Sequence, residues 1–146
     1  MKYVNWEKRL DDYVLSRLLT PFSWGFNDCV TFSTGGIEAM SGMNPAFFAK
    51  DKYKSKAEAL KILLRFKLET FEDLITKIFK ETPMRLLGPD ELVMYGDIVL
   101  ADITNLDPTA VGATAGVVDR DGLTIFPGKE GLVKLRITEA RNVWRV

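Results

Sequence analysis

Residues 21–40 read PFSWGFNDCVTFSTGGIEAM, and the rest of the chain is arranged around them. Trp24-Gly25 signals a turn, and Asn27 or Asp28 is a favoured helix N-cap. Cys29 follows at once, the only cysteine in the protein. From there Cys29, Phe32, Ser33, Gly36, Ile37 and Met40 recur at helical spacing, a narrow stripe of mostly small residues that Gly42 ends. Gly35-Gly36 costs helix propensity, about 1 kcal/mol per glycine relative to alanine. The expected return is close packing of this helix backbone on another element, a sheet.

A thiol in the first turn of a helix, just past a tight loop, sits where the helix dipole and free N–H groups favour thiolate and can hold an oxyanion. Two facts weigh against a nucleophile. A free cysteine commonly behaves as a small buried hydrophobe. Asp28 places a negative charge directly beside it, which disfavours the thiolate. The composition is sharper still: the chain contains no histidine. Neither a Cys-His dyad nor a Ser-His-Asp triad can be assembled within it. One cysteine and no histidine also leave only carboxylates as metal ligands, so no metal and no cofactor is expected.

The totals narrow the class. At 146 residues the chain is read as a single domain, 1–146, long enough for a proper core. Hydrophobic residues at 47% and charged residues at 27% are values of a globular protein. Lys+Arg and Asp+Glu both number 20, so no basic excess argues for nucleic acid. No apolar run suits a membrane span, and the first residues lack the apolar core of a signal peptide. With one cysteine there is no internal disulfide framework, and folding in a cytoplasm is expected.

In chain order, Asn5 is expected to cap a first helix whose apolar face is Trp6, Leu10, Tyr13, Val14 and Leu18, with Pro21 limiting its length. After the Cys29 helix comes an apolar loop through Phe47 and Phe48. The lysines of residues 50–56 then read as a solvated face. Ser55 and Glu58 suggest a capping box for a third helix carrying Ala59, Leu60, Leu63 and Leu64. Thr70 and Asp73 start a fourth, with Phe71, Leu74, Ile75, Ile78 and Phe79 buried, and Pro83 closes the helical half. Strands are expected at 98–103, 113–119, 123–126, 132–137 and 142–146. The segment 105–109 is read as a loop, 119–122 as a hairpin connection and 127–131 as a turn. Helices first and hairpin-linked strands afterwards indicate α+β, with N-terminal helices packed on a C-terminal antiparallel sheet.

These residues resemble a known family. Phe22-x-Trp24-Gly25-x-x-Asp28-Cys29, followed later by Gly96-Asp97-Ile98-Val99, is similar to the NlpC-type cell-wall peptidases. Those are papain-like enzymes whose nucleophile opens the central helix. A closer resemblance is to small proteins encoded in phage and prophage tail gene clusters. It adds Ala115-Gly116-Val117-Val118-Asp119, Phe126-Pro127-Gly128 with Gly131-Leu132-Val133, and the closing Trp144-Arg145-Val146.

The resemblance implies a papain-like fold with Cys29 at the nucleophile position. Active NlpC-type enzymes carry a histidine that aligns with Thr114 or Ala115, and a second polar partner near Phe126-Pro127; neither has a counterpart here. Trp24, Gly25, Asn27 and Asp28 become the loop and helix cap at the cleft. The function implied is a catalytically degenerate structural or assembly component of a phage or prophage tail, at the tip or hub beside other tail proteins. It would be made in the bacterial host cytoplasm and carried in the virion. One alternative is a cysteine amidase or endopeptidase acting on peptidoglycan, with Asp28 or a histidine lent in trans as the base. Another is a cleft that binds wall peptide or glycan without cutting it, with Phe22, Trp24 and Tyr95 as aromatic liners.

Overall fold

The computed structural model describes residues 1–104 and 112–146, so the loop expected at 105–109 lies outside the described residues. The described residues form four helices and six strands. The helices come first: α1 (Trp6–Arg17), α2 (Cys29–Ser41), α3 (Lys56–Arg65) and α4 (Phe71–Lys80). Six strands follow: β1 (Arg85–Leu86), β2 (Ile98–Asp102), β3 (Ala113–Val118), β4 (Thr124–Gly128), β5 (Gly131–Leu135) and β6 (Asn142–Arg145). They form one antiparallel sheet in the order β1-β6-β2-β3-β4-β5. The chain is α+β as the sequence implies, although the two-residue strand β1 was not anticipated.

Helix α2 lies between α1 and the sheet and packs on β3 and β4. Its glycines explain how closely. A Cβ at Gly36 would come within 3.2 Å of Val117 on β3, so this glycine faces the expected sheet. At Gly35 the Cβ would meet the Tyr13 hydroxyl at 2.3 Å, so its neighbour is α1 instead. Strand alternation divides the sheet's apolar residues into two clusters. Ile98, Leu100, Ala115, Val117, Ile125 and Trp144 join Phe32, Ile37 and Met40 under the helices. Val99, Ala101, Val118 and Phe126 form a smaller cluster with Ile103. Each fully buried aliphatic or phenyl side chain contributes about 1.5–3 kcal/mol.

Several local expectations are corrected. Asn5 stands at the N-cap of α1 but makes no side-chain cap, because its backbone (φ −102°, ψ 29°) is not the extended form that aims a side chain at the first turn. Leu18 ends α1 and is exposed, outside the buried face. The Ser55 hydroxyl accepts from the Glu58 N–H, yet the Glu58 carboxylate reaches the Lys54 N–H at 2.6 Å, one residue earlier than a capping box requires. The sequence leaves open which side chains of α3 are buried: only its Ala59/Leu63 edge turns to the core, and Leu60 and Leu64 are 41% and 75% exposed. Pro127 and Gly128 belong to β4, leaving Lys129-Glu130 as a two-residue hairpin turn. Proline is tolerated there because β4 pairs with β3 only at Thr124 and Ile125. Beyond that point the free edge takes up the N-terminal loop, and the Phe22 N–H donates to the Gly128 carbonyl at 2.8 Å.

Candidate functional site

The loop before α2 is built to hold one carboxylate. Ser23 and Asn27 bridge its two arms, and Gly25 turns the tip with φ +80°. Glycine is required there on a second ground, since a Cβ would lie 1.9 Å from the Tyr53 carbonyl oxygen. The 51–53 segment is pinned to the loop, with the Asp51 N–H donating to the Gly25 carbonyl at 2.9 Å. Asp28 caps α2 with an extended backbone, and its Oδ1 accepts from the Thr31 N–H at 2.9 Å. The Thr31 hydroxyl oxygen in turn accepts from the Asp28 N–H, completing a capping box. Oδ2 accepts from the Gly25 N–H at 2.8 Å and from the Tyr53 hydroxyl at 2.6 Å. Asp28 is 2% exposed, and both its oxygens are engaged.

Cys29 is the next residue, half-buried at the start of α2. Burial and then the Asp28 charge push its thiol up to about 12, and backbone groups at Ala115 and Val30 offset this only in part. The opposing influences of helix N-terminus and neighbouring acid are thus resolved in favour of the protonated form. The same two causes, burial and Asp28, raise the Tyr53 hydroxyl, so Asp28 receives its proton donor as a neutral phenol.

Cys29 opens onto a cleft of about 500 Å³. Phe22 and Trp24 line it from the loop, Phe71 from α4, Thr114 from β3 and Pro127 from β4. Trp24 is the hub of its aromatic wall. It stands edge-on to Phe22 with centroids 4.9 Å apart, and lies 6.1 Å from Phe71 and 6.5 Å from Tyr53. A smaller hollow of about 230 Å³ lies between α1 and α2. It contains no thiol, and its Arg9 and Arg17 side chains donate to the Ala39 and Phe26 carbonyls.

Trp24, Asp28 and Cys29 therefore come together at the cleft. Asn27 does not line it; fully buried, it braces the loop by donating its side-chain amide to the Thr20 and Pro21 carbonyls. Tyr95 is corrected as an aromatic liner: it packs on Trp6 with centroids 5.0 Å apart and donates to Asp11 on α1. Thr114 lines the cleft at a position where the resemblance sets a histidine, and Ala115 beside it is fully buried. Among the described residues no cluster of three or more His, Cys, Asp or Glu suits a metal ion, and no helix is long and apolar enough to cross a membrane.

Sequence reading missed four contributors. Tyr53 hides among lysines, and its signal was being the one aromatic in the 50–56 run. Phe71 was assigned to the core stripe of its helix. Lys56 and Lys129, both on the lining, were read as solvated charge and turn. Comparison with curated proteins and with solved structures finds no match to the chain. A family model described as a domain of unknown function, DUF6950, matches residues 1–146, and the chain belongs to that family.

Proposed function

We propose that this protein is a catalytically silent domain of papain-like, NlpC-type outline that serves as a structural or assembly component of a phage or prophage tail, at its tip or hub. The observation that carries the silent reading is the state of Cys29. It occupies the helix start where a nucleophile belongs, yet its thiol is held protonated up to about 12 and the chain has no histidine to activate it. Asp28 is the nearest acid in sequence, and the Gly25, Thr31 and Tyr53 donors already engage it. The tail role is supported by the motif resemblance, which runs from Phe22 to Val146.

A second reading is favoured by the cleft itself. Its roughly 500 Å³ volume and aromatic wall suit ligand binding without cleavage. In both readings hydrolysis is absent unless another chain supplies a base.

The test is turnover of peptidoglycan fragments followed by mass spectrometry, with wild type and Cys29→Ala side by side. The expected outcome is intact fragments in both samples. In phage carrying Cys29→Ala, tail assembly and infectivity are expected to be unchanged. Cleavage by wild type alone, or normally assembled particles with a large loss of infectivity, would establish the hydrolase instead.

A further inference from the structure

The cleft carries a charge bias that a silent thiol does not use. Its floor and walls are largely apolar, built on Trp24, Phe22, Phe71 and Pro127. Two cations from separate elements join the lining: Lys56 at the first position of α3 and Lys129 in the β4–β5 turn. Both residues are exposed, and neither enters an ion pair among the described residues. The one carboxylate on the described lining is Asp28, whose two oxygens face protein donors. Among the described residues, a ligand entering here meets aromatic faces and two ammonium groups outside any ion pair, with no acceptor of comparable strength to attract a cation.

We infer that the cleft binds an aryl carboxylate, a small ligand whose flat apolar body lies against the Trp24 wall and whose carboxylate is met by Lys56 and Lys129. The volume falls in the range of small-molecule sites, which bury most of an apolar body and orient it with a few polar groups. Burial of the aromatic body supplies most of the affinity. The lysines supply selectivity, and as exposed partners each contributes about threefold. This inference goes beyond the silent-domain reading and is independent of the tail assignment, since it concerns what the cleft holds and not whether Cys29 reacts.

The test uses the full chain, labelled with ¹⁵N, and three near-isosteric probes: 2-naphthylacetate, 2-naphthylacetamide and 2-(2-naphthyl)ethylammonium. The chain's three tryptophans give three indole N–H signals, of which Trp6 and Trp144 lie away from the lining and serve as internal controls. The Trp24 signal is expected to move saturably while the other two stay in place. The carboxylate should bind tighter than the amide by about tenfold for two lysines, with the ammonium weakest. In the Lys56→Gln/Lys129→Gln double variant, carboxylate affinity should fall to that of the amide while amide affinity holds. Both substitutions are at exposed positions, and the dispersed spectrum reports folding in the same experiment. Equal affinity for all three probes, an unmoved Trp24 signal, or a double variant that keeps the carboxylate preference would each overturn the inference.

Discussion

Two of the buried aspartates, Asp28 and Asp97, are stabilised in opposite ways. Asp28 lies at a helix N-terminus and is held by neutral donors: two backbone N–H groups and the Tyr53 hydroxyl. Asp97, fully buried at the entry to β2, is held by a cation. Arg145 on β6 grips it in a fork, with Nε and Nη2 at 2.9 and 2.8 Å, and the Met94 N–H adds a further bond. Gly96-Asp97 and Trp144-Arg145, read separately in the sequence, are thus the two halves of one ion pair that ties the last strand to the sheet. The contrast shows that an acid next to a thiol is not thereby a base. In both places the carboxylate is occupied by the fold, and at Asp28 its uncompensated charge is part of what keeps the neighbouring thiol protonated.

The largest expected effect separates the two carboxylates most clearly. Arg145→Met leaves Asp97 charged and buried without its partner, and urea unfolding should register a loss of about 3–5 kcal/mol. The Asp97→Leu/Arg145→Met double variant should recover much of that. If the single variant lost no more than an exposed ion pair does, under about 1 kcal/mol, the claim of a buried anchor would be wrong. Asp28→Ala removes a helix cap and strands the Tyr53 hydroxyl, so the same assay should show about 2 kcal/mol. A loss equal to that of Arg145→Met would mean that charge compensation is not what distinguishes the sites. Tyr53→Phe removes one of the donors and should cost about 1 kcal/mol. No measurable change there would show that the two backbone donors suffice.

Much of this was legible locally. Asp28 and Thr70 announce their helices because capping needs only residues within one turn, and Gly42 ends α2 in the left-handed form that the sequence implies. The order of helices and strands followed from periodicity and turn chemistry. What could not be read depends on partners distant in the chain. Leu60 and Leu64 look as apolar as Leu63, and only the way α3 seats decides which of them meet water. Pro127 reads as a turn residue until the free edge of β4 is known. The site divides the same way. Cys29 and Asp28 are adjacent and were visible, whereas Tyr53, Phe71, Lys56 and Lys129 arrive from three other regions of the chain. Fold class was within reach of the residues, and so were Phe22 and Trp24 beside Cys29; the parts of the lining that arrive from distant segments were not.

The smallest effect expected is a pH dependence that belongs to the Cys29 side of the comparison. Tyr13 and Cys29 are each pushed up to about 12, mainly by burial, and Tyr53 is raised as well. Each binds its proton more tightly folded than unfolded. Their contribution is therefore complete below the ordinary thiol value of 9.0 and is lost as pH rises from there toward about 12. Stability should decline across that alkaline window, and Cys29→Ala should make the decline shallower while leaving the pH dependence in acid unchanged. A variant with an unchanged alkaline slope would remove the thiol from that account.

The rate of Cys29 alkylation by iodoacetamide as a function of pH, followed by intact-mass spectrometry on the native chain, tests the silent thiol most directly. Because only thiolate reacts, the rate should be very low near neutrality and should climb about tenfold per pH unit with no plateau below roughly pH 11. A rate that levels off near pH 7 would mean a thiolate already formed in the folded protein, and the cleft would then hold an armed nucleophile.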